Sequence, residues 1–173
     1  MRLIAIAVLT ATFVIPSSAL GQTRRRSTPR PSSTTAAAQR TAQVRTQGAT
    51  RVADQIKLLT RFTYLLGGIN SGIAAADEEI RRKEASPAVV QSNQQSKARV
   101  RSSIQGFRDG LDKLEIDFRA TPELQPYYIK LAGVAAGAAT ADEQAAANQF
   151  DAAGRTLLTV INRLTDVLLI MRQ

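Results

Sequence analysis

The sequence of 173 residues contains neither cysteine nor histidine. These absences exclude a cysteine–histidine nucleophile pair, a serine–histidine–aspartate triad, thiolate or imidazole zinc sites, iron–sulfur clusters and covalently attached haem. Methionine occurs only at Met1 and Met171, so a methionine copper site is excluded, and without cysteine the chain has no attachment point for a lipoprotein lipid. We therefore predict a protein that is not an enzyme, with no catalytic residues, no metal site and no cofactor.

Residues 1–21 have the three-part pattern of a secretory signal peptide. Arg2 gives a positive start, Leu3 to Ile15 is an uncharged and mostly apolar run, and small residues precede a predicted cleavage site between Gly21 and Gln22. This pattern predicts a secreted or periplasmic protein, exported by a cleaved signal peptide.

An uncleaved membrane anchor is the alternative for the same segment. The stretch of 19 residues at 3–21 is long enough, because a membrane-spanning helix needs roughly 17 to 25 residues. Four arginines follow the stretch and only Arg2 precedes it, which favours retention of the downstream side in the cytoplasm. Pro16 and the small residues near position 20 favour cleavage instead.

The net charge of +9 is concentrated in residues 22–53, which we call the tail. Residues 22–53 contain seven arginines and no acidic residue, whereas the chain beyond them carries 15 basic and 14 acidic residues. Residues 22–40, rich in Arg, Pro, Ser and Thr, are predicted to form a disordered linker, because they have too little apolar surface to fold. The candidate contacts to an anionic partner are Arg24, Arg25, Arg26, Arg30, Arg40, Arg45 and Arg51.

Anionic envelope polymers and lipid headgroups fit this arginine-rich tail as partners. A specific nucleic-acid partner is not predicted, because residues 22–40 have no aromatic side chain for base stacking and the rest of the chain has no groove-reading motif. The sequence leaves a protein partner or self-association unspecified.

Residues 41–173 have the period of amphipathic helices, with large apolar residues in steps of three and four. The steps predict helices at about 50–85, 88–119, 126–139 and 141–172. Ser86-Pro87 marks one boundary, and Thr140 with Glu143 forms a predicted capping box for the last helix. Gly67 and Gly68 make a kink in the first helix the main alternative.

These segments predict an all-α fold. Short connections between four helices favour an antiparallel up-and-down bundle, and no stretch alternates polar and apolar residues as a strand would. Six acid–base pairs at i and i+4 are predicted to lie on helix surfaces, namely Asp77–Arg81, Glu78–Arg82, Glu79–Lys83, Asp109–Lys113, Glu115–Arg119 and Asp151–Arg155.

Three pairs of glycines spaced four apart predict close helix packing or a groove: Gly68 and Gly72, Gly106 and Gly110, and Gly133 and Gly137. Packing within one chain is favoured over a self-association face. Tyr127 and Tyr128 are adjacent, so we expect one to face the core and the other to reach the rim, where it is the best aromatic candidate for a partner contact.

The leading functional hypothesis is a non-enzymatic binding or structural component of the cell envelope, attached electrostatically through its tail. Besides the membrane-anchored protein, the alternative is a bundle that binds a small molecule or lipid in an internal groove. The aromatic residues expected beside such a groove are Phe62, Phe107, Phe118, Phe150 and Tyr127.

Overall fold

The computed structural model describes residues 33–173, all of its regular structure being helical. The helices are α1 (Ser33–Arg81), α2 (Pro87–Ala120), α3 (Gln125–Leu131), α4 (Val134–Ala146) and α5 (Phe150–Met171). The predictions for the signal peptide, for Gly21 and Gln22 and for Arg24, Arg25, Arg26 and Arg30 lie outside the described residues.

The helices form the predicted antiparallel up-and-down bundle of about four helices, in which α3 and α4 together take the third place. Arg51 in the first half of α1 pairs with Asp117 near the end of α2, 2.6 Å away. Asn70 of α1 donates a hydrogen bond of 2.7 Å to Asp151 at the start of α5. Consecutive helices therefore run in opposite directions, and α5 returns beside α1 to close the bundle.

The core follows a seven-residue repeat in α1. Val52, Leu59, Leu66 and Ile73 are all buried, which leaves a narrow apolar stripe facing the other helices. α5 is amphipathic, as predicted, and buries one side along its whole length from Phe150 to Met171. The stripes of these two helices meet, and Leu66 lies 3.3 Å from the position that a Cβ atom would take at Gly154.

α1 is 49 residues long and starts 17 residues before the predicted position. Residues 33–40, predicted as part of the disordered linker, are helical here. Ala36, Ala37 and Ala38 are strong helix formers, and adding turns to a helix already nucleated by packing costs little. The helix also continues through Gly67 and Gly68 without a break, since packing before and after them outweighs their low helix propensity.

The prediction of one continuous third helix at 126–139 is wrong, because the helix is interrupted at Ala132 and Gly133. Gly133 has φ +92°, a left-handed conformation that glycine adopts without strain. Glu115 of α2 accepts hydrogen bonds from the backbone N–H groups of Gly133 and Ala135, at 2.9 and 2.8 Å. This carboxylate from another helix caps the start of α4.

The predicted capping box of the last helix is also wrong. Thr140 lies inside α4, where its hydroxyl donates to the backbone oxygen of Ala136. The alanine-rich segment extends α4 to Ala146, and the turn comes at Asn148, which has φ +61°. α5 therefore begins at Phe150, nine residues after the predicted start. The predicted limits of α2 agree with its observed limits to one residue, and Ser86, predicted only as part of the boundary, is its N-cap.

At one end of the bundle α1 alone extends beyond the four-helix part, and at the other end α1 and α2 extend beyond it together. Residues 34–43 are exposed except for half-buried Ala36. Packing against the bundle begins at Val44, and Gly48 lies against Met171 at the end of α5. At the other end, Arg101 bonds to the backbone of Ala145 near the end of α4. α1 and α2 continue past that point as a two-helix arm of about three to four turns.

Candidate functional site

A groove with a cavity volume of about 440 Å³ lies between α1 and the end of α5, where the α1 extension meets the bundle. Its apolar lining includes Leu168 and Met171, and three of its side chains are cationic, namely Arg45, Lys57 and Arg172. We call it the basic groove. Apolar and cationic side chains together suit an anionic group that carries an apolar part.

One carboxylate reduces the charge of the basic groove. Asp54 accepts a hydrogen bond of 3.3 Å from Lys57, and both side chains are more than half exposed. Arg45 and Arg172 take part in no ion pair within residues 33–173. The groove therefore keeps two guanidinium groups available for a carboxylate or a phosphate.

The three predicted contact arginines that the structure describes occupy different surroundings. Arg40 is exposed on the projecting part of α1, and Arg45 lines the basic groove. Arg51 lines a separate shallow groove on α1 and binds Asp117 at 2.6 Å. The sequence alone does not distinguish Arg51 from Arg40 and Arg45, because the partner of Arg51 lies 66 residues away in the chain.

The glycine pairs divide into packed and open positions. A Cβ atom at Gly137 would lie 2.7 Å from Val160, and one at Gly133 would lie 2.8 Å from Arg163. At Gly110 the nearest neighbour is Gln55, at 3.4 Å, which is ordinary contact. No described neighbour lies within 4 Å of the Cβ positions at the remaining members of the pairs, Gly68, Gly72 and Gly106. Close packing within the chain is therefore observed at Gly137 and, against the tip of Arg163, at Gly133. It is not observed at Gly68, Gly72 and Gly106, of which Gly72 lines a groove, the other predicted role.

Tyr127 and Tyr128 are both half-buried and both pack against the core. The expected division into an inward and an outward ring is therefore not observed. Tyr64 of α1 is the exposed ring, at 85% of its surface, and Ile129 beside the tyrosines is 78% exposed. The sequence carried a signal for Tyr64, because position 64 falls between the inward steps at Phe62 and Leu66.

Three of the predicted surface ion pairs, those of Asp77, Glu115 and Asp151, are replaced by contacts between helices. Glu78 binds Arg82 as expected and also binds Arg81. Glu115 caps α4 rather than pairing with Arg119, and Asp151 accepts from Asn70. Contacts between helices thus use side chains whose local spacing predicted only surface pairs.

Asp77 forms the most enclosed of these contacts. Its Oδ1 accepts hydrogen bonds from Lys97 at 2.5 Å and from Asn93 at 2.7 Å, both on α2. The hydrogen bond from Lys97 lowers the pKa of Asp77, the bond from Asn93 and the charge of Lys97 act in the same direction, and burial opposes them. In residues 33–173 no three acidic side chains converge to form a metal site.

The aromatic rings expected beside an internal groove lie mostly inside packed regions. Phe118 and Phe150 are buried, and Phe62 and Phe107 are in edge-to-face contact with centroids 4.9 Å apart. Phe150 borders a surface groove with Gly154 and Leu158. None of the helices at 33–173 combines the length and the apolar character that crossing a membrane would require.

No protein-family model, curated protein or solved structure matches this chain.

Proposed function

We propose that the protein is a non-enzymatic envelope component that attaches to anionic lipid headgroups or anionic polymers through the basic start of α1. The observation that carries the proposal is the run of cationic side chains on a helix that projects beyond the bundle. Arg40 lies on the projecting turns, Arg45 lies where these turns join the bundle, and the first acidic residue of α1 is Asp54.

The proposal is supported by the state of these arginines. Arg40 and Arg45 have no ion-pair partner among the described residues. Forming a contact with an external phosphate or carboxylate therefore requires no existing ion pair to be broken. The basic groove adds Arg172 beside Arg45, so that charge on the extension continues onto the body of the bundle.

The arginines before residue 33 extend the same basic segment in the sequence. Arg24, Arg25, Arg26 and Arg30 precede α1 with no acidic residue among them. Each basic side chain near an anionic surface contributes about 1 kcal/mol at moderate ionic strength, so a segment with several such residues binds usefully although each contact is weak. We further propose, from residues 1–21, that the protein is exported to the periplasm or secreted.

The proposal is tested by adsorption of the full chain to vesicles of phosphatidylglycerol mixed with phosphatidylcholine. Binding should fall steeply as salt is raised, because screening shortens the range of the attraction. Vesicles of phosphatidylcholine alone measure the adsorption that does not depend on charge, and an anionic wall polymer tested in parallel separates lipid from polymer. Binding that is equal on both kinds of vesicle and on the polymer, and insensitive to salt, would contradict electrostatic attachment.

Deleting residues up to 51 is not a clean test, because Gly48 packs against Leu124 and Met171. Substituting single arginines keeps α1 intact. Arg51→Gln is the matched control for Arg40→Gln and Arg45→Gln, since Arg51 is already bound to Asp117.

A further inference from the structure

A second groove lies on the two-helix arm, away from the basic groove. Its cavity volume is about 350 Å³, at the small end of the range for ligand sites. α1 contributes Ile69, Gly72 and Ile73 to the lining, and α2 contributes Val89, Asn93 and Ser96. We call it the arm groove. Its walls combine apolar side chains with three polar ones, Ser92, Asn93 and Ser96, a mixture that suits a molecule with both an apolar part and a hydrogen-bonding group.

Asn93 is the unusual residue of this groove. It is 95% buried, with 5% of its surface exposed, and it is polar. Its Nδ2 donates to Asp77 Oδ1 at 2.7 Å, and because a carboxylate only accepts, this bond fixes the orientation of the amide. Its Oδ1 is buried and has no hydrogen-bond partner among residues 33–173. A buried acceptor without a donor is unfavourable, so a donor group that reached this oxygen would stabilise the site.

The charges beside the arm groove balance each other. Lys97 donates to Asp77 at 2.5 Å, so one ammonium and one carboxylate form a pair in which only 21% of the Lys97 side chain is exposed. Neither charge is left over for a charged ligand. The polar requirement of the groove is a neutral N–H or O–H group directed to Asn93.

Gly72 keeps the groove open on the side of α1. A Cβ atom at this position would meet no described neighbour within 4 Å, so the glycine is not needed for helix packing. Any larger side chain there would project into the space that the groove provides.

We propose that the arm groove binds a small neutral molecule with an apolar ring or chain and one N–H or O–H donor, which bonds to Asn93 Oδ1 after a small side-chain adjustment in the groove wall. This site is independent of the attachment through the start of α1. Indole and N-methylindole are suitable probes, because they have nearly the same ring and differ in the N–H donor.

The first experiment is a titration of the isotope-labelled full chain with each probe, followed by NMR. Indole should give saturable shifts at the Asn93 side-chain amide and at the backbone amides of Gly72 and Ser96, with a Kd on the order of 1 mM for a ligand of this size. N-methylindole should bind at least about tenfold more weakly, because it leaves the buried oxygen without a donor.

Two matched pairs of variants locate the site. Gly72→Leu fills the groove and should abolish binding, whereas Gly106→Leu adds the same side chain at another open helix position and should leave the Kd unchanged. Asn93→Leu removes the acceptor and should abolish the preference for indole. Asn70→Leu removes an amide that also bonds to an aspartate at 2.7 Å but lies outside the groove, and should preserve that preference.

Circular dichroism of each variant establishes that it is folded, and Gly72→Leu keeps the proposal falsifiable if Asn93→Leu unfolds. Saturable binding that needs the N–H group and is blocked by Gly72→Leu supports the proposal. Equal affinity for the two probes, binding unaffected by Gly72→Leu, or no shift up to the solubility limit of indole overturns it. The last result would assign the oxygen of Asn93 to solvent water alone.

Discussion

Because Glu115 accepts two hydrogen bonds at the start of α4, we expect its removal to lower the free energy of unfolding. Its Oε1 accepts from the backbone N–H groups of Gly133 and Ala135, so Glu115→Ala leaves the donors of half-buried Gly133 and buried Ala135 at the start of a helix without their acceptor. Charge-assisted hydrogen bonds and helix caps are each worth about 1 to 2 kcal/mol, and solvent replaces part of the loss. We expect the free energy of unfolding to fall by about 2 kcal/mol.

The assay is thermal and urea unfolding followed by circular dichroism. A loss of about 2 kcal/mol corresponds to a decrease in Tm of about 4 to 8 °C for a domain of this size. Glu115→Gln keeps an acceptor oxygen but loses the charge, so it should lie between the wild type and Glu115→Ala. Glu143→Ala is the control, since Glu143 is an exposed acidic residue near the other end of α4.

The reasoning is refuted if Glu115→Ala unfolds at the same temperature as Glu143→Ala. That result would mean that the break at Gly133 is maintained by the left-handed glycine and its packing without help from the carboxylate.

Two further predictions concern a pair of glycines and an aspartate. Gly137→Ala should destabilise the fold by about 1 to 3 kcal/mol, because its Cβ would meet Val160. Gly68→Ala, which adds a Cβ in open space, should stabilise the fold by up to about 1 kcal/mol. Urea unfolding measures both changes, and equal effects would contradict the packing of Gly137 against Val160. The pKa of Asp77 is lowered in the fold by Lys97, so this aspartate contributes stability above its unfolded pKa that is lost as the pH falls through its folded pKa. Unfolding measured from neutral to acidic pH should therefore show a shallower acid loss for Asp77→Asn, and an unchanged acid limb would show that the contact with Lys97 does not contribute.

The general architecture could be predicted from the spacing of apolar residues. The repeat through Val52, Leu59, Leu66 and Ile73 places one stripe of α1 in the core, and it carries the helix past Gly67 and Gly68. Ser86 and Pro87 gave the boundary of α2 because the signal is local. Features that depend on residues within a few helical turns of each other could therefore be predicted from the sequence.

The break between α3 and α4 could not be predicted in this way. It depends on Glu115, which comes from a different helix and lies 18 residues before Gly133 in the sequence. Glycine inside an alanine-rich segment is compatible with a helix or with a turn, and the distant carboxylate favours the turn. Thr140 gave a misleading local signal, because a capping-box pattern inside a segment of alanines does not stop the helix.

The candidate sites show the same division between local and distant information. The sequence identified the basic segment by its charge, but the basic groove exists because Leu168 and Arg172 come beside Arg45 at the end of α5. Asn93 stands in a run of polar residues at 91–96, where the sequence has no apolar pattern that would predict burial. Its burial depends on α2 packing back against α1, and its bond to Asp77 spans 16 residues.

Attachment through the basic start of α1 is tested most directly by the partition of arginine variants onto phosphatidylglycerol vesicles at moderate ionic strength. With about 1 kcal/mol for each arginine near an anionic surface, the double variant Arg40→Gln and Arg45→Gln should bind about tenfold or more weakly than the wild type. Arg51→Gln should bind within about twofold of the wild type, because Arg51 already pairs with Asp117. If the double variant binds as tightly as the wild type, or if Arg51→Gln loses as much, the basic start of α1 is not the attachment surface.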